Sequence, residues 1–185
     1  MKAKLSAVAL SLLLAAPAFA KEVAGVKYPE TATVEGKELK LNGVGVRTKM
    51  VFKVYTAGLY VENPSKDGAK LISADEIKRV RMYMLRDLDK KTIGEAMAEG
   101  FKKNAGAKLP ELQPKLDTFT AALPDVKKGD EITLTYVPGQ GTQVQSKSGK
   151  QITVEGKDFS DALFSVFVGA KPVDGDLKDG MLGKD

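Results

Sequence analysis

Residues 42–62 have the sequence N-G-V-G-V-R-T-K-M-V-F-K-V-Y-T-A-G-L-Y-V-E. The stretch is rich in β-branched and aromatic residues, and it is interrupted by glycines but not by proline. This composition is typical of strands near the middle of a sheet, so it predicts two strands or one long bent strand. Gly43, Gly45 and Gly58 have no side chain, which indicates that something approaches the backbone closely at these positions.

Arg47 lies inside this stretch, between Val46 and Thr48. A guanidinium group is permanently charged and carries five donors, so a partly buried arginine needs an anion or several acceptors. The stretch contains no acidic residue before Glu62. Two interpretations follow: a structural arginine paired with a carboxylate such as Glu62 or Glu99, or an arginine that binds a ligand anion.

Patterns on both sides of the stretch predict the remaining elements and an α+β fold. Strands, two helices, strands and a helix follow one another, which favours one antiparallel sheet covered by a layer of helices on one side. The last segment, 171–185, is expected to be a polar tail with one helical turn around Leu177. The other predicted elements are a short strand over 22–28, a hairpin over 31–41 turning at Glu35-Gly36, a helical turn within 69–76, a strand over 77–85, helices over 89–104 and 110–123, a three-stranded meander over 130–155, and a helix from Asp158 to Gly169.

The first 20 residues are typical of a secretory signal peptide. Lys2 and Lys4 precede an apolar run over 5–16, and Ala18-Phe19-Ala20 has the small-x-small pattern of a cleavage site. The apolar run is short for a membrane span, which takes about 20 residues. We therefore expect residues 1–20 to be removed and residues 21–185 to form one exported, periplasmic domain without a transmembrane anchor.

The composition excludes several classes of function. The sequence contains no cysteine and no histidine, which removes disulfides, thiolate chemistry and the commonest general base and metal ligand. Without Lys2 and Lys4 the 29 basic residues become 27 against 24 acidic ones, a net charge of +3 with the signs interspersed. This is not the charge pattern of a nucleic-acid-binding protein, and no metal or cofactor is expected.

Six segments follow one another in a recognisable order: G-V-R-T-K, K-V-Y-T-A-G-L-Y-V-E, E-A-M-A-E-G-F, P-G-Q-G, A-L-F-S-V-F-V-G and K-P-V-D-G-D-L-K. Together they resemble the chalcone isomerase family, and most closely its bacterial exported branch of chalcone-isomerase-like proteins. The resemblance covers nearly all of residues 21–185, and the ordered set is specific although no single motif is.

The resemblance implies an open-faced sandwich with a cleft between sheet and helices. In the plant enzymes of the family this cleft binds a flavonoid, and in the fatty-acid-binding branch it holds a fatty acid whose carboxylate is bound by arginine and tyrosine. The arginine common to both corresponds to Arg47. The remaining plant catalytic positions match poorly: they correspond to Tyr55 or, with a one-residue slip, Thr56, and to Thr92, Glu99 and Val166 with Ser165 beside it.

Two classes of function follow from this comparison, with a scaffold whose cleft has lost its role as a third. The first is non-catalytic binding of a small amphipathic carboxylate or phenolic ligand, such as a fatty acid, with the candidate ligand-binding residues Arg47, Tyr55, Thr56, Thr92 and Glu99. The alternative is an isomerase or intramolecular lyase acting on a flavonoid-like or other enone substrate, in which Arg47 stabilises an oxyanion and Tyr55 or a water moves the proton. The poor match favours binding. The sequence identifies no protein partner.

Overall fold

The computed structural model of the chain describes residues 20–147, 149 and 151–184. Apart from Ala20, the predicted signal peptide lies outside the described residues. The strands are β1 Ala20–Val23, β2 Val26–Pro29, β3 Thr31–Val34, β4 Lys37–Lys49, β5 Phe52–Val61, β6 Lys78–Met84, β7 Glu131–Val137, β8 Gly141–Ser146 and β9 Ile152–Val154. The helices are α1 Gly68–Ser73, α2 Lys90–Ala105, α3 Leu109–Ala122, α4 Lys157–Val168 and α5 Gly175–Met181.

Strands β3 to β9 form one antiparallel sheet in which each strand pairs with its neighbour in the sequence. The helices pack on one face of this sheet, where the larger apolar core lies. The predicted α+β fold with one helix-covered antiparallel sheet is therefore confirmed. The central stretch forms two strands, β4 and β5, joined by a turn at Met50 and Val51.

The alternation predicted for residues 77–85 is present in β6. Val80, Met82 and Met84 are buried on the helix-covered face, whereas Arg79 and Arg81 are half-buried on the other. Lys78 also lies on the covered side and is buried, but its ammonium donates hydrogen bonds of 2.8–2.9 Å to three backbone carbonyl oxygens at the end of α1. These bonds satisfy the buried charge and hold α1 against the sheet.

The opposite face of the sheet is partly covered by a second, smaller core. Residues 22–28 do not form one strand, as the sequence pattern predicted; Ala24 and Gly25 have positive φ angles and turn the chain into the hairpin β1–β2. Tyr28 and Val26 of this hairpin pack with Leu39, Val44 and Tyr60 of the sheet. The sandwich is therefore open on only part of this face.

The helical turn predicted around Leu177 is present, but the prediction that residues 171–185 form a polar tail was wrong. This segment contains α5, whose Leu177 and Met181 are buried in the main core. A Cβ atom at Gly45 would overlap the carbonyl oxygen of Leu177, and one at Gly43 would overlap that of Gly180. The two strand glycines therefore make room for the backbone of α5 rather than for a ligand.

Candidate functional site

A cavity of about 660 Å³ lies between one end of the sheet and the N-terminal part of α2. Its floor consists of buried apolar side chains, and its rim carries exposed and mostly charged ones. The floor includes Val54, Tyr55, Met82, Met84, Ile93 and Met97; the rim includes Lys49, Met50, Phe52, Arg86, Asp87, Thr92, Glu95 and Glu99.

Arg47 and Tyr55 lie side by side in this cavity. The register of β4 and β5 places them directly opposite each other, and both side chains point to the helix-covered face. The guanidinium carbon of Arg47 lies 5.6 Å from the centre of the Tyr55 ring. The Nε of Arg47 and the hydroxyl of Tyr55 are both buried, and neither has a hydrogen-bond partner among the described residues. A buried polar atom without a partner costs free energy, so such a pair marks a place where a ligand can supply the bonds.

The position of helix α5 leaves the side chain of Arg47 uncovered. Residue 45 is on the same face of β4, two positions earlier, and lies under the backbone of Leu177. The helix begins at its capping residue Asp174, whose carboxylate accepts hydrogen bonds from the backbone of Leu177 at 2.9 Å and of Thr48 at 3.0 Å. The cover provided by α5 therefore stops just before Arg47, and the cavity opens there.

The protonation state of Tyr55 is set by its surroundings. The side chain is only 2% exposed. Burial raises the pKa of Tyr55 to about 12, although the charge of Arg47 and the closeness of its guanidinium to the phenol oppose the rise. At neutral pH the phenol is therefore protonated and can donate a hydrogen bond to an anion beside Arg47.

The two carboxylates that would make Arg47 a structural residue have other partners. Glu62 forms an ion pair with Lys37 at 3.0 Å and accepts a hydrogen bond from the backbone of Ile77. Glu99 is exposed on α2 and pairs with Lys103 at 2.6 Å. Within the described part of the chain, no carboxylate lies within 4.0 Å of the Arg47 guanidinium.

A model of the chalcone isomerase-like family matches residues 20–183. The chain belongs to this family. A solved structure with the same fold is the fatty-acid binding protein AtFAP1 of Arabidopsis thaliana: the TM-score is 0.68 at 19% sequence identity, over 90% of this chain and 96% of that one. No curated protein is significantly similar in sequence.

In this chalcone isomerase-like protein, Thr92 and Glu99 lie at the rim of the cavity rather than in its floor. The Thr92 hydroxyl donates to the Asp89 carboxylate at 2.9 Å as part of the N-terminal cap of α2. The hydrogen bond from Lys103 lowers the pKa of Glu99, so this side chain is ionised at neutral pH. Neither residue is placed as a partner for a bound anion, because Thr92 is already bonded and Glu99 is negative.

Thr56 does not belong to the candidate site, which corrects the expectation from the sequence. It points to the opposite face of β5, where its hydroxyl lies 2.7 Å from the hydroxyl of Tyr28 in the smaller core. Thr56 pairs with Val46 in the regular part of the β4–β5 ladder, beside the Arg47–Tyr55 pair, so its side chain points to the face opposite that of Tyr55. Val166 is buried against Gly100, and Ser165 donates to the carbonyl of Asp161, so neither lines the cavity.

We expect the Thr56→Val substitution to destabilise the fold by about 1–2 kcal/mol, because it leaves the buried hydroxyl of Tyr28 without a partner. Ligand binding should be unchanged. Urea unfolding measures the first effect. The double variant Tyr28→Phe with Thr56→Val removes both hydroxyls and should recover most of the loss; a double variant less stable than Thr56→Val alone would contradict this account.

Several residues of the rim were not predicted from the sequence. Arg86 and Asp87 come shortly after β6, which ends at Met84, and Lys49 ends β4. An antiparallel arrangement places these strand ends together, so the predicted order of strands contained the necessary information. Val173 also lines the cavity, and it was missed because residues 171–185 were expected to be a polar tail.

Among the described residues, no helix is both long and apolar enough to span a bilayer.

Proposed function

We propose that this chalcone isomerase-like protein is an exported, periplasmic binding protein that holds a small amphipathic carboxylate, such as a fatty acid, in the cavity between sheet and helices without transforming it. One observation carries the proposal. Arg47 and Tyr55 present buried polar atoms without partners to the same cavity. A carboxylate can accept from both groups, and a hydrogen bond from a charged donor is among the strongest in proteins.

The apolar part of the cavity suits the tail of such a ligand. Met82, Met84 and Met97 contribute flexible thioether side chains to the floor. Ligand sites in proteins commonly enclose roughly 300–1,000 Å³ and combine an apolar lining with a few polar groups that fix orientation. A cavity of about 660 Å³ with one arginine and one tyrosine at its polar end fits that pattern.

The structural neighbour supports the same class of ligand. The Arabidopsis thaliana protein is described as fatty-acid binding, and its fold matches over most of both chains. Identity of 19% establishes the fold alone. The choice of a carboxylate for the present protein therefore rests on its own Arg47 and Tyr55.

The geometry favours binding over the alternative of isomerase or intramolecular lyase chemistry. A tyrosine whose pKa is raised to about 12 is a donor rather than a base at neutral pH. The hydroxyl of Thr92 is used in capping α2, which removes it as a positioned donor. What is left at the polar end of the cavity is a pair that binds an anion, not a pair that exchanges a proton with a substrate.

The proposal is tested by comparing hexadecanoic acid with its methyl ester. The acid should bind with a 1:1 stoichiometry and at least about tenfold more tightly than the ester, because the ester cannot accept charge-assisted bonds. Isothermal titration calorimetry of residues 21–185 measures both affinities, and native mass spectrometry of protein from its own source identifies any bound carboxylate.

Two outcomes would overturn this proposal. Equal binding of acid and ester would show that the anion is not recognised. Conversion of an added chalcone to a chiral product, at a rate that depends on Arg47, would make the protein an isomerase. Decanol serves as a control that has an apolar tail and no carboxylate.

A further inference from the structure

The turn between β4 and β5 exposes three consecutive apolar side chains, which we call the apex: Met50, Val51 and Phe52. They are 87%, 84% and 55% exposed, and they are the large hydrophobic residues that the described part of the chain leaves exposed. Single exposed apolar residues are ordinary on protein surfaces. Here they are concentrated at one projecting turn, which indicates a surface that contacts something apolar.

The backbone of the apex has an unusual conformation at Met50. Met50 has a φ angle of 58°, in the left-handed region that turns of this kind normally reserve for glycine. A side chain in this conformation costs free energy of the folded protein. Since the side chain of Met50 is almost fully exposed, its contacts within the described structure do not explain why a methionine occupies the position.

Cations surround the apex. Lys49 and Lys53 flank it in the sequence, and the guanidinium of Arg86 lies 4.7 Å from the centre of the Phe52 ring. None of these three cations forms an ion pair with a carboxylate in the described part of the chain.

The acidic groups nearby are already paired with other cations. Asp87 lies 3.0 Å from Lys127, and Glu99 pairs with Lys103. Glu95 lies 3.9 Å from Lys91, one turn earlier on α2. Glu99 also lies close enough to Lys49 for the two charges to attract each other. Because neither it nor another described carboxylate forms an ion pair with Lys49, Lys53 or Arg86, these three cations can still bind an external anion.

We propose that the apex is a membrane-docking surface for bilayers that contain anionic phospholipids. Apolar side chains that enter the interface and lysines that remain at the headgroups are the two contributions that hold peripheral proteins on such membranes. A stable protein interface takes about 20–30 residues from each side, many more than this turn supplies. A bilayer, in contrast, accepts a single inserted turn.

Docking through the apex would place the cavity mouth against the bilayer, because Lys49, Met50, Phe52 and Arg86 also form part of its rim. An amphipathic molecule could then pass between bilayer and cavity with little exposure of its tail to water. The docking itself does not depend on the proposed ligand, because it rests on the exposed turn and the unpaired cations alone.

Vesicle sedimentation tests the docking surface without added ligand. Residues 21–185 should bind vesicles of phosphatidylcholine with about 30% phosphatidylglycerol, an anionic content that attracts basic surface groups. Binding to pure phosphatidylcholine should be at least about tenfold weaker, and 0.5 M NaCl should weaken the anionic binding by screening. The Val51→Asp substitution should lower it by about tenfold or more. Val51 does not line the cavity, so ligand binding in solution should be unchanged.

Gln140→Glu is the matched control, because it makes the charge more negative by the same amount at the β7–β8 turn, at the opposite end of the sheet. It should bind vesicles like the original protein. Val51→Thr keeps the shape of valine and tests whether any loss in Val51→Asp comes from misfolding; it should retain the melting temperature and lose part of the binding.

A fluorescence measurement provides a second readout, since the sequence contains no tryptophan. The emission of the Val51→Trp variant should shift to the blue on adding anionic vesicles, and that of a Gln140→Trp variant should not. An original protein that ignores anionic vesicles, a Val51→Asp variant that binds them fully, or a concentration-dependent dimer that Val51→Asp abolishes would each overturn the proposal.

Discussion

The Arg47→Met substitution should weaken the binding of hexadecanoic acid by about 10- to 100-fold, because a hydrogen bond to a charged group contributes roughly 1.5–3 kcal/mol. The stability of the ligand-free protein should remain unchanged or increase. Arg47 has no carboxylate within 4.0 Å among the described residues, so its removal leaves no buried anion behind. Melting curves of both proteins, with and without the acid, measure the two effects together: the ligand should raise the melting temperature of the original protein more than that of the variant.

The two interpretations of Arg47 predict opposite results. A structural arginine would leave a stranded carboxylate on removal and cost about 3 kcal/mol or more of folding free energy. Lys53→Met removes the same charge from the same hairpin outside the cavity and serves as the control. A strongly destabilised Arg47→Met variant, beside an original protein that does not respond to the acid, would contradict the binding role.

The sheet and most helices were predictable because their patterns are local. In β6 the alternation of apolar and basic residues at 78–84 depends only on the two faces of that strand, and the structure confirms it. The turn predicted at Glu35 and Gly36 is also present and connects β3 to β4. Both residues have positive φ angles, 48° and 75°, as a tight hairpin turn requires. Each of these elements is specified by residues within a few positions of one another.

Helix α5 was not predictable in this way, because its burial depends on residues far away in the sequence. Its own sequence, G-D-L-K-D-G-M, contains only two large apolar residues, and the other five are glycines or charged residues. This composition is typical of an exposed segment. It is held by Gly43 and Gly45, which admit its backbone, and by Asn42, whose side-chain amide donates to the carbonyl of Met181 at 2.8 Å across 139 residues. The sequence showed the space beside the glycines but not what fills it.

The candidate site was predictable only where its residues follow a local pattern. Arg47 is one such residue, because a charged side chain in an apolar strand needs a partner in any fold. The choice between Tyr55 and Thr56 depended on the register of β4 and β5, which pairs Arg47 with Tyr55 and turns Thr56 to the other face. Thr92 was expected from the family resemblance, and the resemblance did not show that Asp89 engages its hydroxyl.

The Gly45→Val substitution should destabilise the protein by about 3 kcal/mol or more, because overpacking combines with the loss of burial in α5. The added side chain meets the backbone of Leu177, which has no rotamer with which to move away. Relief requires α5 to leave the sheet, and that movement exposes Leu177 and Met181, both now fully buried. It also removes Asp174 from the backbone of Thr48, next to Arg47. Urea unfolding measures the loss of stability, and hydrogen exchange measures the opening of residues 175–182.

Gly175→Ala tests whether this effect belongs to the contact rather than to glycine itself. Gly175 begins the same helix, has nothing within 4 Å of an added Cβ atom and does not have a positive φ angle. Its replacement should change the stability by less than about 1 kcal/mol, and an increase is expected because alanine restricts the unfolded chain. If Gly45→Val were as stable as Gly175→Ala, with residues 175–182 still protected, α5 would not be held by close contact with β4. The contact between Gly45 and α5 would then not explain why Arg47 is left open to the cavity.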